Sequence, residues 1–143
     1  MATTTVSLTI TSGDLTSDSL SLSANHTMYG TAGTTGPTLT TGLRRKKNLN
    51  SITTLFDDDD YDLPAYIFIK NTDTTYTNKV AVTIEGDSES IVLANLYGGQ
   101  FMYLPYIGDT DNSADPTANI RVTADSADTI VEYMAIYTAD TPS

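Results

Sequence analysis

The chain has 143 residues, no cysteine, no tryptophan and a formal net charge of −11. The missing cysteines exclude disulfide staples and thiolate zinc sites, and a field of this sign repels phosphate backbones, which argues against nucleic acid as a direct partner. No apolar run reaches the ~18 residues of a membrane span, and residues 1–5 lack the basic-then-apolar order of a secretory signal.

Thr and Ser stand where a helical protein would carry Ala, Lys and Glu, and β-branched Thr suits a pleated strand. The first element is a strict alternation of Val6, Leu8 and Ile10 with Ser7, Thr9 and Thr11, which predicts a strand with one buried face. Gly13-Asp14 ends it. Leu20 and Leu22 alternate with Ser and suggest a second short strand. Residues 30–42, with Gly33, Gly36 and Pro37, form a loop. Residues 43–55 carry Arg44, Arg45, Lys46 and Lys47, then Leu49, Ile52 and Leu55, a spacing open to helix or strand and assigned to strand. Asp57-Asp58-Asp59-Asp60 cannot be buried together and forms an exposed loop.

Beyond that loop the apolar density rises. Residues 65–70 are apolar on both faces and predict a central, covered strand. Asn71-Thr72-Asp73 is a turn. Val80, Val82 and Ile84 alternate, Gly86-Asp87 turns, and residues 90–95 return, giving the clearest hairpin in the chain. Tyr97-Gly98-Gly99-Gln100 turns into a strand over 101–104 that Pro105 ends. Residues 109–116 form a polar loop, Ile120, Val122 and Ala124 alternate, residues 125–128 turn, and 130–137 make a last strand. That strand places Val131, Tyr133 and Tyr137 opposite Met134 and Ile136, so either both faces are covered or one meets a partner. Short strands at such spacings predict an all-β antiparallel β-sandwich or jelly-roll-like fold. Composition divides it into a Thr/Ser-rich N-terminal arm or interface region (1–62) with short strands and a sandwich core (63–143), the alternative being one single domain overall.

Catalytic constellations are sparse. His26 is a lone histidine in a polar stretch and reads as a surface or turn residue. No Gly-x-Ser-x-Gly accompanies the many serines. Of the glutamates Glu85, Glu89 and Glu132, the first two flank a hairpin turn in solvated positions. These features predict no enzyme, no cofactor and no resident metal. Asp109, Asp111, Ser113 and Asp115 have the alternate spacing of a calcium loop, but Ala114 replaces its glycine and Ile120 its closing glutamate. The basic run Arg44, Arg45, Lys46, Lys47 and the acidic run Asp57, Asp58, Asp59, Asp60 are the candidate partner-binding residues. In a repeating assembly the basic patch of one copy would meet the acidic patch of the next and fix their register.

The phrases Tyr66-Ile67-Phe68-Ile69-Lys70-Asn71-Thr72, Val80-Ala81-Val82-Thr83-Ile84, Gly98-Gly99-Gln100-Phe101-Met102-Tyr103-Leu104-Pro105, Ile120-Arg121-Val122-Thr123-Ala124-Asp125 and Val131-Glu132-Tyr133-Met134 resemble those of small tailed-bacteriophage virion proteins. The resemblance covers residues 65–138, with Gly-Gly-Gln where Pro-Gly-Glu is usual. It implies a capsid decoration (cement) protein on the exterior of the virion, a homo-oligomer whose partners are the major capsid protein and copies of itself. The alternatives are a tail, neck or fibre-base protein, or a carbohydrate-binding sandwich using Tyr97, Tyr103 and Tyr106.

Overall fold

The computed structural model describes residues 3–29, 36–61, 63–85, 89–107 and 118–138. The described strands are β1 (Thr5–Ser12), β2 (Leu20–Thr27), β3 (Leu39–Thr40), β4 (Arg44–Lys46), β5 (Thr53–Phe56), β6 (Ala65–Asn71), β7 (Val80–Glu85), β8 (Ser90–Leu96), β9 (Phe101–Tyr106), β10 (Ile120–Ala124) and β11 (Val131–Tyr137), with a 3-10 turn at Asp58–Asp60. All their pairings are antiparallel. The protein is all-β, as its alternation predicts. Among the described residues, no helix is long and apolar enough to cross a membrane.

Two sheets make the sandwich. One has the order β5-β10-β7-β8. The other has the order β3-β11-β6-β9, with β4 on β11 beside β3. The period-two pattern decides what lies between them. Ile67 and Ile69 of β6, Val80 and Val82 of β7, Ile120 and Val122 of β10, and Val131 and Ala135 of β11 are completely buried. Burying each of these Ile and Val side chains contributes about 1.5–3 kcal/mol. One end of this core is aromatic: the Tyr61 ring meets Phe56, Tyr106 and Tyr137 edge-on at centroid separations of 6.0, 5.9 and 5.3 Å, the geometry that ring quadrupoles favour.

The compositional division at residue 62 does not coincide with the sheets. Strands β3 and β4 pair with β11, and β5 pairs with β10. Leu49, Phe56 and Tyr61 sit in the core. The segment reads as sparse because short edge strands need only an occasional apolar anchor. Leu49 is one such anchor, in the connector between β4 and β5. Asn48, in the left-handed region at φ 63°, turns the chain there, and the Leu49 carbonyl accepts from Ala124 N. Among the described residues of 1–62, only β1 and β2 form a sheet of their own.

Three local readings are corrected. Pro105 lies inside β9, opposite Tyr66, and does not end the strand. β9 is an edge strand, where a missing N–H costs no ladder bond. Asn71 is the last residue of β6 and completely buried. Glu85 is half-buried and paired with Arg121, and also accepts from Asn119 Nδ2 at 3.1 Å, so it is not a solvated turn residue. The Gly86-Asp87 turn, Gly33 and the Asp109–Asp115 pattern lie outside the described residues.

Candidate interaction surface

Strands β1 and β2 form a hairpin in which Thr5 pairs with Thr27 and Ser12 with Leu20. Period two puts Val6, Leu8 and Ile10 on the same face as their cross-strand partners His26, Ala24 and Leu22. The opposite face is Thr, Ser and Asn. Neither strand contains Asp, Glu, Lys or Arg; Asp14 and Asp18 sit in the connecting turn.

The base of this hairpin is tied to the outer face of the five-stranded sheet. There Tyr66 and Phe68 of β6, Tyr103 of β9, and Met134 and Ile136 of β11 point away from the core. Met28 N donates to Thr4 O at 2.8 Å and closes the hairpin, and Met28 itself is buried. Tyr29 N donates to Tyr66 Oη, which donates back to Tyr29 O, both at 3.0 Å. His26 is a surface residue, as read, and stands in β2 instead of a turn. Its Nε2 lies 2.9 Å from Tyr103 Oη, and its ring leans on those of Tyr66 and Tyr103. Burial, then the neighbouring Tyr66, pushes the Tyr103 phenol up to about 12, so it stays neutral as a hydrogen-bonding partner.

Away from the base the cover stops. Leu8, Ile10, Leu20 and Leu22 remain 45, 45, 38 and 49% exposed. The alternation correctly predicts the strand, but its apolar face is not buried, because the hairpin reaches beyond the sheet that seats it. Between its inner half and β9 lies a groove of about 500 Å³, lined by Val6, Leu8, Ala24, His26, Phe101 and Tyr103. Phe101 is 57% exposed at its mouth. The outer face of β11, left open by the sequence between a covering element and a partner, is thus partly roofed by the hairpin base. Met134 and Ile136 line a 210 Å³ pocket with Thr5, Val6 and Met28.

The two charged runs are placed differently from one another. Arg44, Arg45 and Lys46 form β4, and Arg45 donates to Glu132 Oε1 of β11 through Nη2 at 2.6 Å and Nε at 3.0 Å. Lys47 reaches Asp128 at 3.0 Å. Two of these basic residues therefore have partners within their own chain. Asp58, Asp59 and Asp60 make the 3-10 turn, with the Asp57 side chain accepting from Asp59 N. Asp58 N donates to Asn119 Oδ1 at 2.8 Å. Burial, then the Asp59 charge, raises the Asp58 carboxyl above its usual range. Carboxylate oxygens of Asp57, Asp58 and Asp59 lie within 4.8 Å of one another. One charge from each run acts on the Tyr61 phenol. This phenol is pushed up to about 12, chiefly by burial and then by Asp60, with Arg44 pulling the other way.

Of the tyrosines weighed for glycan contact, Tyr106 is buried and donates to Ala118 O, and Tyr103 is engaged with His26. Tyr97 is 36% exposed and stacks on the more exposed Tyr76 at 5.3 Å. Sequence patterning did not single out Tyr76, because only the turn at Gly98 brings it beside Tyr97. Comparison with protein-family models, curated proteins and solved structures finds no match.

Proposed function

We propose that this chain is a structural protein of the capsid-decoration (cement) type, which binds the outer surface of a virion shell through its β1–β2 hairpin. The supporting observation is the hairpin itself. A two-stranded ribbon is marginally stable alone, and this one leaves Leu8, Ile10, Leu20 and Leu22 partly in water. Its strands carry no formal charge in a chain of net charge −11, so the ribbon can approach another surface with little electrostatic opposition. A partner covering the apolar face completes the second layer that the hairpin lacks. The major capsid protein is that partner in this reading, and the function is mechanical: many copies tie shell subunits together. The strand phrases of residues 65–138 are the reason for choosing a virion.

The test uses shells stripped of the protein and the purified chain added back. Wild type should bind in symmetric copies and restore resistance to heat and osmotic shock. The triple variant Leu8→Ser, Ile10→Ser, Leu22→Ser should keep its fold and lose at least tenfold in occupancy. Density at the tail instead of the shell would select the tail or neck alternative, and full binding by the triple variant would overturn the role of the hairpin. The carbohydrate-binding alternative rests on the Tyr76–Tyr97 stack, and a glycan array without hits removes it.

A further inference from the structure

A sandwich has open edges, and exposed strand edges invite pairing with other chains unless they are guarded. Three edges here carry guards. β5 has four residues and runs directly into the acidic turn. β9 contains Pro105, and its Tyr103 is engaged by the hairpin through His26. β3 and β4 have two and three residues, and β4 reads Arg-Arg-Lys. The fourth edge is β8, seven residues reading Ser-Ile-Val-Leu-Ala-Asn-Leu, with no charge and no proline. Ile91, Val92 and Leu93 are 61, 56 and 41% exposed in succession. A bulge shifts the register so that Val82 faces Ala94 and Thr83 faces Val92, which leaves Leu93 without a partner on β7. Among the described residues no strand pairs with the outer edge of β8.

We infer that β8 is a self-association edge, where the β8 of a second copy pairs antiparallel across a two-fold axis and joins two four-stranded sheets into one. The strand's fit to itself selects the occupant, and charge selects the direction. Copies of a chain at −11 repel over most of their surfaces, and β8 presents a stretch without carboxylates. Glu89, immediately before it, is the nearest acid in the described chain. Parallel pairing would set the two Glu89 side by side. Antiparallel pairing centred on Leu93 separates them by about 27 Å, eight residues at 3.4 Å each, well beyond the ~8 Å screening length of physiological salt. Centred on Leu93, the antiparallel register also sets Val92 opposite Ala94 and Ile91 opposite Asn95, a large residue against a smaller one at each position. The pairing is isologous, so one edge serves both copies. It does not depend on a shell partner and is measured on the purified chain.

A single strand pair is smaller than a standard interface, so the dimer forms over about 1–500 µM. Sedimentation velocity across that range should move from monomer to dimer, and amide exchange over residues 90–96 should slow at least tenfold at the high end. Val92→Lys places a natural edge guard on an exposed position. It should weaken dimerisation at least tenfold and abolish the concentration-dependent protection, while the hairpin triple variant dimerises as wild type. A chain that stays monomeric throughout overturns the inference. So does a dimer that survives Val92→Lys, a dimer lost in the hairpin variant, or protection of β8 that does not change with concentration. If Val92→Lys does not fold, the exchange comparison on wild type decides alone. A foreign strand as the true occupant would appear as a monomer on its own, with β8 protected only on added shells.

Discussion

Asn71 shows how one buried polar side chain can hold several loops. Its Nδ2 donates to Asn78 O and Leu96 O, both at 2.9 Å, and its Oδ1 accepts from Asp73 N at 3.0 Å. Asp73 extends the network: it accepts from Thr75 N, Asn78 Nδ2 and Thr129 Oγ1. These bonds, led by that from Asn78, hold its carboxyl below the usual range. The neighbouring Gly98 has no room for a side chain, since a Cβ would fall 2.8 Å from Asp73 O and closer still to Thr75 O. Replacing Asn71 by Ala strands two carbonyls and an N–H, one of the carbonyls, Leu96 O, in a buried bond and the other two groups in part-buried ones. The expected loss is about 3 kcal/mol, since each buried unsatisfied group costs roughly 1–3, and urea denaturation measures it. A loss below about 1 kcal/mol would mean that water replaces the amide. In the sequence, Asn71-Thr72-Asp73 is legible as a turn. That Asn71 is its buried keystone is not, because the carbonyls it satisfies lie 7 and 25 residues away.

At the scale of elements, the long strand positions were legible from period two, whereas β3 lies in a stretch read as a loop, and pairing partners were legible mainly where a turn links neighbours. The β7–β8 hairpin lies where the sequence places it. The β6–β11 and β5–β10 pairings are long-range, and no local pattern encodes them. The basic run shows what this hides. Read alone, Arg44–Lys47 is a patch awaiting a neighbour. Pairing of β4 with β11 instead sets Arg45 opposite Glu132. Side-chain exposure of 69% on the arginine and 15% on the glutamate marks a surface pair, and such pairs contribute about 0.2–1 kcal/mol. Arg45→Ser should therefore lower stability by less than about 1 kcal/mol, and by less again in 1 M salt, as thermal melts will show. Lys70 stands opposite Glu132 on its other side and offers the carboxylate a second cation. A loss of several kcal/mol, insensitive to salt, would instead mark the pair as an essential clasp of the sheet edge.

For the whole molecule, the sandwich class follows from composition and alternation, whereas the exposed hairpin face does not. Val6, Leu8 and Ile10 carry the same signal whether a sheet covers them or not, so periodicity identifies a face and leaves its partner open. The aromatic end of the core gives the molecule a global property that can be tested. There burial pushes the Tyr61 phenol up to about 12 and raises that of Tyr106 as well, and on the outer face, beneath the hairpin, it pushes the Tyr103 phenol up to about 12. In the unfolded chain these phenols ionise near 10. A folded-state value above the unfolded one means that the stabilisation is fully present below about pH 10 and is lost as pH rises towards 12. The chain should hold its fold to about pH 10 and then unfold cooperatively with base. Part of the rise in phenolate absorbance at 295 nm, that from Tyr61, Tyr103 and Tyr106, should come only together with the loss of the β-sheet circular dichroism signal. Tyr61→Phe removes one of these ionisations and should move the alkaline midpoint upward. If all nine tyrosines titrate as one group near 10 while the sheets stay intact at pH 12, the phenols are not sequestered and the aromatic end of the sandwich is open to water.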